Sequence, residues 1–277
     1  MRLFRRALRP VGLLCLCIST AVSPSYGQAR GNFGEFKRSL NTKSYGYRLI
    51  KDPTSTGPNR VVEAFEVRSG DCGYHEKWND CLTDRERSEL SQVNKDTQAG
   101  DEYWYGWYIY FPHDFINLAP AKVSLGQFHQ DESHPAWMFE HTINGYFLVN
   151  QLAADSNEKS ELIPEDNLRG HWHKIEIQVV WKNNQQGQFN VWVNGESKVK
   201  YTGPTMDAKR VYFKYGLYRA FVSRYQSSGR AGVNTRKKIN TSEKPSVLTP
   251  SQKVYFSNVK RASTRNDLKI KNYNKDE

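Results

Sequence analysis

Three short stretches carry polar side chains at the two-residue spacing that places both members of a pair on one face of a β-strand. Arg87 and Glu89 stand in Arg87-Ser88-Glu89-Leu90, Gln127 and His129 flank Phe128, and Lys214 and Tyr218 lie in the stretch Tyr212–Arg219 with Gly216 between them. An arginine held by a nearby glutamate is preorganised to receive a carboxylate. Gln127 and His129 would offer an amide donor and an imidazole about 7 Å apart. Lys214 and Tyr218 would stand about 13 Å apart, and the missing side chain of Gly216 would leave room for a flat ring such as a sugar. Phe213, Tyr215 and Leu217 alternate with them and suit a core, while Arg219 and Glu89 add charge for contacting substrate. Taken singly, each pair also admits a plain structural role: a solvated lysine, a surface ion pair, a packed histidine.

Converging on one sugar unit, the same groups would equip a β-elimination. In a 4-linked uronate the C5 proton becomes removable once the adjoining carboxylate is neutralised and the developing charge is stabilised. Arg87 and Gln127 are the candidates for neutralising it. A base then takes H5, and a general acid protonates O4 as the C4–O bond breaks, which a tyrosine hydroxyl can do. With gluco- or manno-configured units H5 and O4 lie on one side, so Tyr218 can serve twice. With gulo-, ido- or galacto-configured units they lie on opposite sides, and His129 becomes the base.

Such groups need a sheet to carry them, and the chain is rich in alternating runs of Val, Ile, Tyr, Phe and Trp separated by Gly, Asn, Pro and Asp. Strands are expected at Arg60–Arg68, Tyr103–Phe111, Lys122–Gln130, Tyr146–Leu152, Trp172–Lys182, Gln188–Val193, Lys198–Thr202, Arg210–Arg219 and Val254–Ala262. Asn194-Gly195 marks a tight hairpin. Many strands without internal repeats predict an all-β fold, two antiparallel sheets packed as a jelly-roll sandwich of the concanavalin A-like kind. Trp104, Trp107, Tyr108 and Tyr110 are read as core. Two segments break the regularity: Gly70–Arg85, with Tyr74, His75 and Trp78, and the basic loop Ser227–Gln252, with Arg230, Arg236, Lys237 and Lys238.

The chain of 277 residues opens on Arg2, Arg5, Arg6 and Arg9, followed by an apolar run from Val11 to Ile18. That order reads as a secretory signal peptide over residues 1–27, with cleavage near Gly27. The expected organisation is then one domain over 28–262 and a charged, disordered tail over 263–277, in a monomer exported to the periplasm or beyond. The run is too short to span a bilayer, so no membrane association is expected. Losing the four leader arginines lowers the formal charge from +11 to +7. A basic exported protein without a nucleic-acid motif points to an acidic polysaccharide as partner, and not to nucleic acid.

Of four cysteines, Cys72 and Cys81 remain after processing and are expected to pair. No metal and no cofactor are expected. His171 and His173 share a strand face but continue into Ile175, Ile177 and Val179 without a third ligand. A structural calcium is left possible and unassigned, Asp71 and Asp207 being the acidic positions considered.

Arg-Ser-Glu-Leu at 87–90, Gln-Phe-His at 127–129 and Tyr-Phe-Lys-Tyr-Gly-Leu-Tyr at 212–218 resemble, in order, the three signature strands of the jelly-roll polysaccharide lyases, which include alginate lyases, heparin lyase I and glucuronan lyase. The resemblance implies carboxylate binding by Arg87 and Gln127, a base at His129, substrate contact by Lys214 and a general acid at Tyr218. Ser91, Tyr215 and the Arg219-Ala220 pair depart from the alginate pattern, which has arginine, alanine and Asn-Gln there, and bring the chain nearer the heparin and glucuronan branch. The alternative is a non-catalytic carbohydrate-binding module or lectin on the same sandwich. A glycoside hydrolase would need paired carboxylates about 5 to 9 Å apart, which no strand supplies.

Overall fold

The computed structural model describes residues 30–153, 158–230 and 248–271; the expected signal peptide and Arg236, Lys237 and Lys238 lie outside them. In chain order the strands are β1 (Phe36–Ser39), β2 (Tyr47–Lys51), β3 (Val61–Val67), β4 (Tyr74–His75), β5 (Trp78–Asn79), β6 (Arg85–Gln92), β7 (Thr97–Gln98), β8 (Glu102–Tyr110), β9 (Lys122–Gln130), β10 (Pro135–Thr142), β11 (Gly145–Asn150), β12 (Lys159–Pro164), β13 (Trp172–Val180), β14 (Gln188–Val193), β15 (Glu196–Thr202), β16 (Arg210–Ala220) and β17 (Gln252–Ala262). One short helix, Val222–Ser227, follows β16.

Two antiparallel sheets face each other as a jelly-roll sandwich. One runs β1-β6-β16-β9-β10-β11-β12, with β7 added to β16, and the other runs β15-β14-β13-β8-β17-β3-β2. The nine strands read from alternation are all present, and Asn194 and Gly195 both take positive φ in the β14–β15 turn, as a tight hairpin requires. Between the sheets lie the residues that alternate inward. Phe128 meets Phe213 at 4.9 Å between ring centres and Tyr105 at 4.8 Å, while Phe65 and Phe256 flank Tyr215. Each such side chain contributes about 1.5–3 kcal/mol of burial, and this core holds the two sheets in register.

The aromatic row of β8 divides between two layers. Trp107 enters the inter-sheet core, whereas Tyr108 and Tyr110 are buried on the other face of the same sheet with Val62 and Trp172. That outer layer is covered by the segment after β17, which the alternation-based reading assigned to a disordered tail beginning at residue 263. Instead, Arg265 pairs with Glu176 at 2.8 Å, a 3-10 turn spans Asn266–Leu268, and Leu268 is fully buried. Gly106 makes the approach possible, because a Cβ there would stand 2.6 Å from the Ile270 side chain. Charge-rich composition hid two apolar anchors, Leu268 and Ile270.

Gly216 also does something other than leave space for a ligand. Against β9 the register skips between Tyr215 and Tyr218, a bulge, and Gly216 there has φ +129°. A Cβ would sit 2.4 Å from the Ser88 carbonyl oxygen and 2.7 Å from the Phe65 ring of the opposite sheet, so the glycine serves the backbone and the inner packing. Gly216→Ala is therefore expected to destabilise the protein by about 2–4 kcal/mol through strain and overpacking. Thermal or urea unfolding checks this; an unchanged midpoint would show that the bulge is not constrained in this way.

Candidate functional site

The continuous register between β6 and β16 sets Arg87 opposite Tyr218, Glu89 opposite Gly216 and Ser91 opposite Lys214. On its other side β16 places Lys214 beside Gln127 and Tyr212 beside His129. All three pairs read from the sequence thus arrive on one outer sheet face, on three adjacent strands. Their centre is Glu89, whose buried carboxylate accepts from Lys214 Nζ at 2.9 Å, Gln127 Nε2 at 2.6 Å and Arg87 Nη1 at 3.1 Å. Burial alone would raise the Glu89 pKa, but Lys214 and then Arg87 outweigh it and hold the carboxylate below its usual range. Burial pushes Lys214 the other way, down from the ordinary lysine value, with Arg87 adding to the effect and Glu89 opposing it.

Arg87 is more fully committed than its sequence context suggests. Asp80 takes it in a two-point grip, with Nε and Nη2 both 2.6 Å from the carboxylate oxygens. Asp80 comes from the irregular segment before β6, where Cys72 and Cys81 form a disulfide with their Cα atoms 5.1 Å apart. Arg87 and Lys214 are therefore balanced by Asp80 and Glu89, and Arg87 is a buried positioning cation. Its guanidinium lies 4.4 Å from the centre of the Tyr218 ring, fixing that ring from below.

The Tyr218 hydroxyl accepts a hydrogen bond from Arg85 Nε at 2.7 Å. Burial raises the Tyr218 pKa, and Arg87 and then Arg85 pull against that without reversing it. The phenol is thus protonated at neutral pH and able to donate. His129 sits along the face from it, half-buried and stacked on Tyr212 at 5.1 Å. Its Nδ1 is 2.7 Å from the Gln130 carbonyl oxygen, which can only accept, so Nδ1 carries the proton and Nε2 is left with a free lone pair. Burial, reinforced by Lys214, lowers its pKa to about 4.

Arg219, expected to touch substrate, is on the wrong face. It is fully buried and gives its donors to Glu86 at 2.9 Å, Gln252 at 3.0 Å and the Val67 and Pro250 carbonyls. Strand alternation is the reason, since the neighbour of an outward Tyr218 must point inward. Glu89, also expected to touch substrate, is likewise buried, its carboxylate covered by its three donors. His173 is a buried structural group whose Nε2–H donates to the Leu168 carbonyl at 2.9 Å. Among the described residues no cluster of three His, Cys, Asp or Glu could hold a metal; Asp71 accepts from Tyr45 and the Arg68 amide, and Asp207 from Gln130.

Two members of the site were missed in the sequence. Arg85 continues the alternation Arg85, Arg87, Glu89, so its face was readable. Asp80 was not, because a loop and a disulfide deliver it.

Comparison with known proteins follows this geometry. The family model described as polysaccharide lyase matches residues 28–260, so the chain belongs to the polysaccharide lyase family and is a polysaccharide lyase. No curated protein matches it. Among solved structures, it is similar to an endo-β-1,4-glucuronan lyase from the fungus Trichoderma reesei, with TM-score 0.52, 16% identity, and coverage of 85% of this chain and 97% of that one. It is also similar to a variant of the family 7 alginate lyase A1-II′ in complex with product, with TM-score 0.52, 13% identity, and coverage of 85% and 97%. At such identity these structures establish the shared fold.

The His129 environment sets a pH expectation. Its folded pKa of about 4 lies below the ordinary histidine value of 6.5, so the unfolded chain binds the proton more readily between those limits. Stability from this group is complete above pH 6.5 and is lost as pH falls toward 4. The proton uptake of the imidazole, followed by NMR on the folded protein, should centre near 4; a midpoint near 6.5 would contradict the burial and the Lys214 proximity described here.

Proposed function

We propose that this lyase cleaves a 4-linked uronate polysaccharide by β-elimination on the outer face of β6, β16 and β9, with a glucuronan- or heparin-type chain as substrate. The observation that carries the reading is Tyr218: a phenol kept protonated by burial, its ring set by Arg87 and its hydroxyl by Arg85, on the same face as the Glu89 network. In this reading the sugar undergoing elimination lies along β16 over Lys214 and Gln127. Each of these has spent one N–H on Glu89 and keeps others for the C5 carboxylate. Arg87 contributes to charge stabilisation from beneath, through Glu89 and the tyrosine ring.

Tyr218 donates its proton to O4 as the C4–O bond breaks. For a gluco-configured unit, which the departures from the alginate pattern favour, Tyr218 first loses its phenolic proton to solvent, a step the two nearby arginines ease, and the phenolate then removes H5 and passes that same proton to O4. For an ido- or gulo-configured unit the unprotonated Nε2 of His129 takes H5 from the opposite side. We place the enzyme outside the cytoplasm, exported as a monomer by its leader and acting without a cofactor or metal on an acidic glycan. The family assignment leaves the binding-module alternative without a supporting observation.

Incubation with glucuronan, heparin, heparan sulfate, alginate and pectate, read by the ultraviolet absorbance of an unsaturated uronate, tests the substrate class. On the substrate so found, Tyr218→Phe should lower kcat by roughly 10²–10⁴-fold with little change in substrate affinity. Near-normal turnover by that variant would overturn the site.

A further inference from the structure

Beyond Tyr218, on the side away from His129, the structure carries an exposed indole and a cation with no acidic partner among the described residues. Trp78 is 41% exposed, on the β4–β5 hairpin closed by Cys72–Cys81. Its Nε1 donates to Asp80 Oδ1 at 2.8 Å, so the ring is held in one orientation by the same carboxylate that grips Arg87. A large aromatic side chain left in water yet fixed in place is a surface preorganised for an apolar face. Next to it, the Arg85 guanidinium lies 5.4 Å from the Trp78 ring and 5.4 Å from the Phe221 ring. Nε contacts the Tyr218 hydroxyl and Nη1 the Thr83 carbonyl oxygen, while Nη2 has no hydrogen-bond partner among the described residues. Arg87 and Lys214 are paired with Asp80 and Glu89, but no carboxylate among the described residues stands within ion-pair distance of Arg85.

We propose that Trp78 and Arg85 form a subsite for a second uronate, the one across the scissile linkage from the sugar held over Lys214 and Gln127. The pyranose face stacks on the Trp78 indole, and its carboxylate pairs with the free edge of the Arg85 guanidinium. The hand-over point is fixed by Arg85 itself, which touches Tyr218, the proposed donor to the linking oxygen, through Nε while its guanidinium lies 5.4 Å from the Trp78 ring. The disulfide thereby acquires a role in recognition, since it closes the loop that presents Trp78 as well as Asp80. This inference rests on the proposed elimination site, and its test separates the two.

Binding is measured by calorimetry with size-fractionated oligoglucuronates on the full mature chain carrying Tyr218→Phe, so that chemistry does not intrude. Adding Trp78→Ala, or Arg85→Gln, should weaken binding of oligomers long enough to cross the linkage by about tenfold. Trp78→Phe, which keeps a stacking face but loses the bond to Asp80, should stay within about threefold of the parent. Trp78→Ala binding as tightly as the parent, or Trp78→Phe weakening as much as Trp78→Ala, overturns the subsite and leaves the elimination site standing. Absence of any binding by the Tyr218→Phe parent overturns the glucuronan-type reading of the substrate and the subsite with it.

Discussion

A single buried carboxylate, that of Glu89, ties the functional face together. It takes donors from β16 through Lys214, from β9 through Gln127 and from its own strand through Arg87. A charge in that position is costly to desolvate, and only several well-placed donors make it tolerable. Once formed, the arrangement dictates register: a slip of one residue in β16 would turn Lys214 inward and break its buried pair with Glu89, a penalty of about 3–5 kcal/mol. The bulge at Gly216 belongs to the same constraint, letting β16 keep an unbroken ladder with β6 while accommodating a shorter count on β9.

A second clamp acts from outside the sheet. The loop closed by Cys72–Cys81 brings Asp80 onto Arg87, so the arginine is gripped from both sides and its charge is answered locally. The consequence is a division of labour between neighbouring arginines two residues apart. Arg87 orients the Tyr218 ring from a buried position, and Arg85 meets the hydroxyl at the half-buried rim. Tyrosine and histidine are tuned in opposite senses by one cause, burial: the phenol is held protonated and the imidazole is held neutral. In those forms a phenol can donate a proton and an imidazole can accept one.

Much of this was legible in the sequence because strand alternation is a strict rule. It correctly brought Arg87, Glu89, Gln127, His129, Lys214 and Tyr218 to one face, and the same rule, had it been applied at residue 219, would have sent Arg219 into the core. The pairing of Cys72 with Cys81 was readable because they are the two cysteines outside the expected leader. What local pattern could not show was contact between segments distant in sequence or outside strands. Asp80 reaches Arg87 through a loop, Gly216 is required by Phe65 of the opposite sheet, and Leu268 and Ile270 anchor a segment whose charged composition suggested disorder. Such features depend on three-dimensional packing, which periodicity does not encode.

Whether this face breaks a uronate linkage by elimination is decided most directly by the mass balance of the reaction. Digestion of the polymer that the enzyme accepts, carried out in ¹⁸O-labelled water and analysed promptly by mass spectrometry and ultraviolet absorbance, distinguishes elimination from hydrolysis. The expected products carry an unsaturated non-reducing end and no water added across the cleaved bond. Saturated products, each cleavage accompanied by uptake of one labelled water, would contradict elimination.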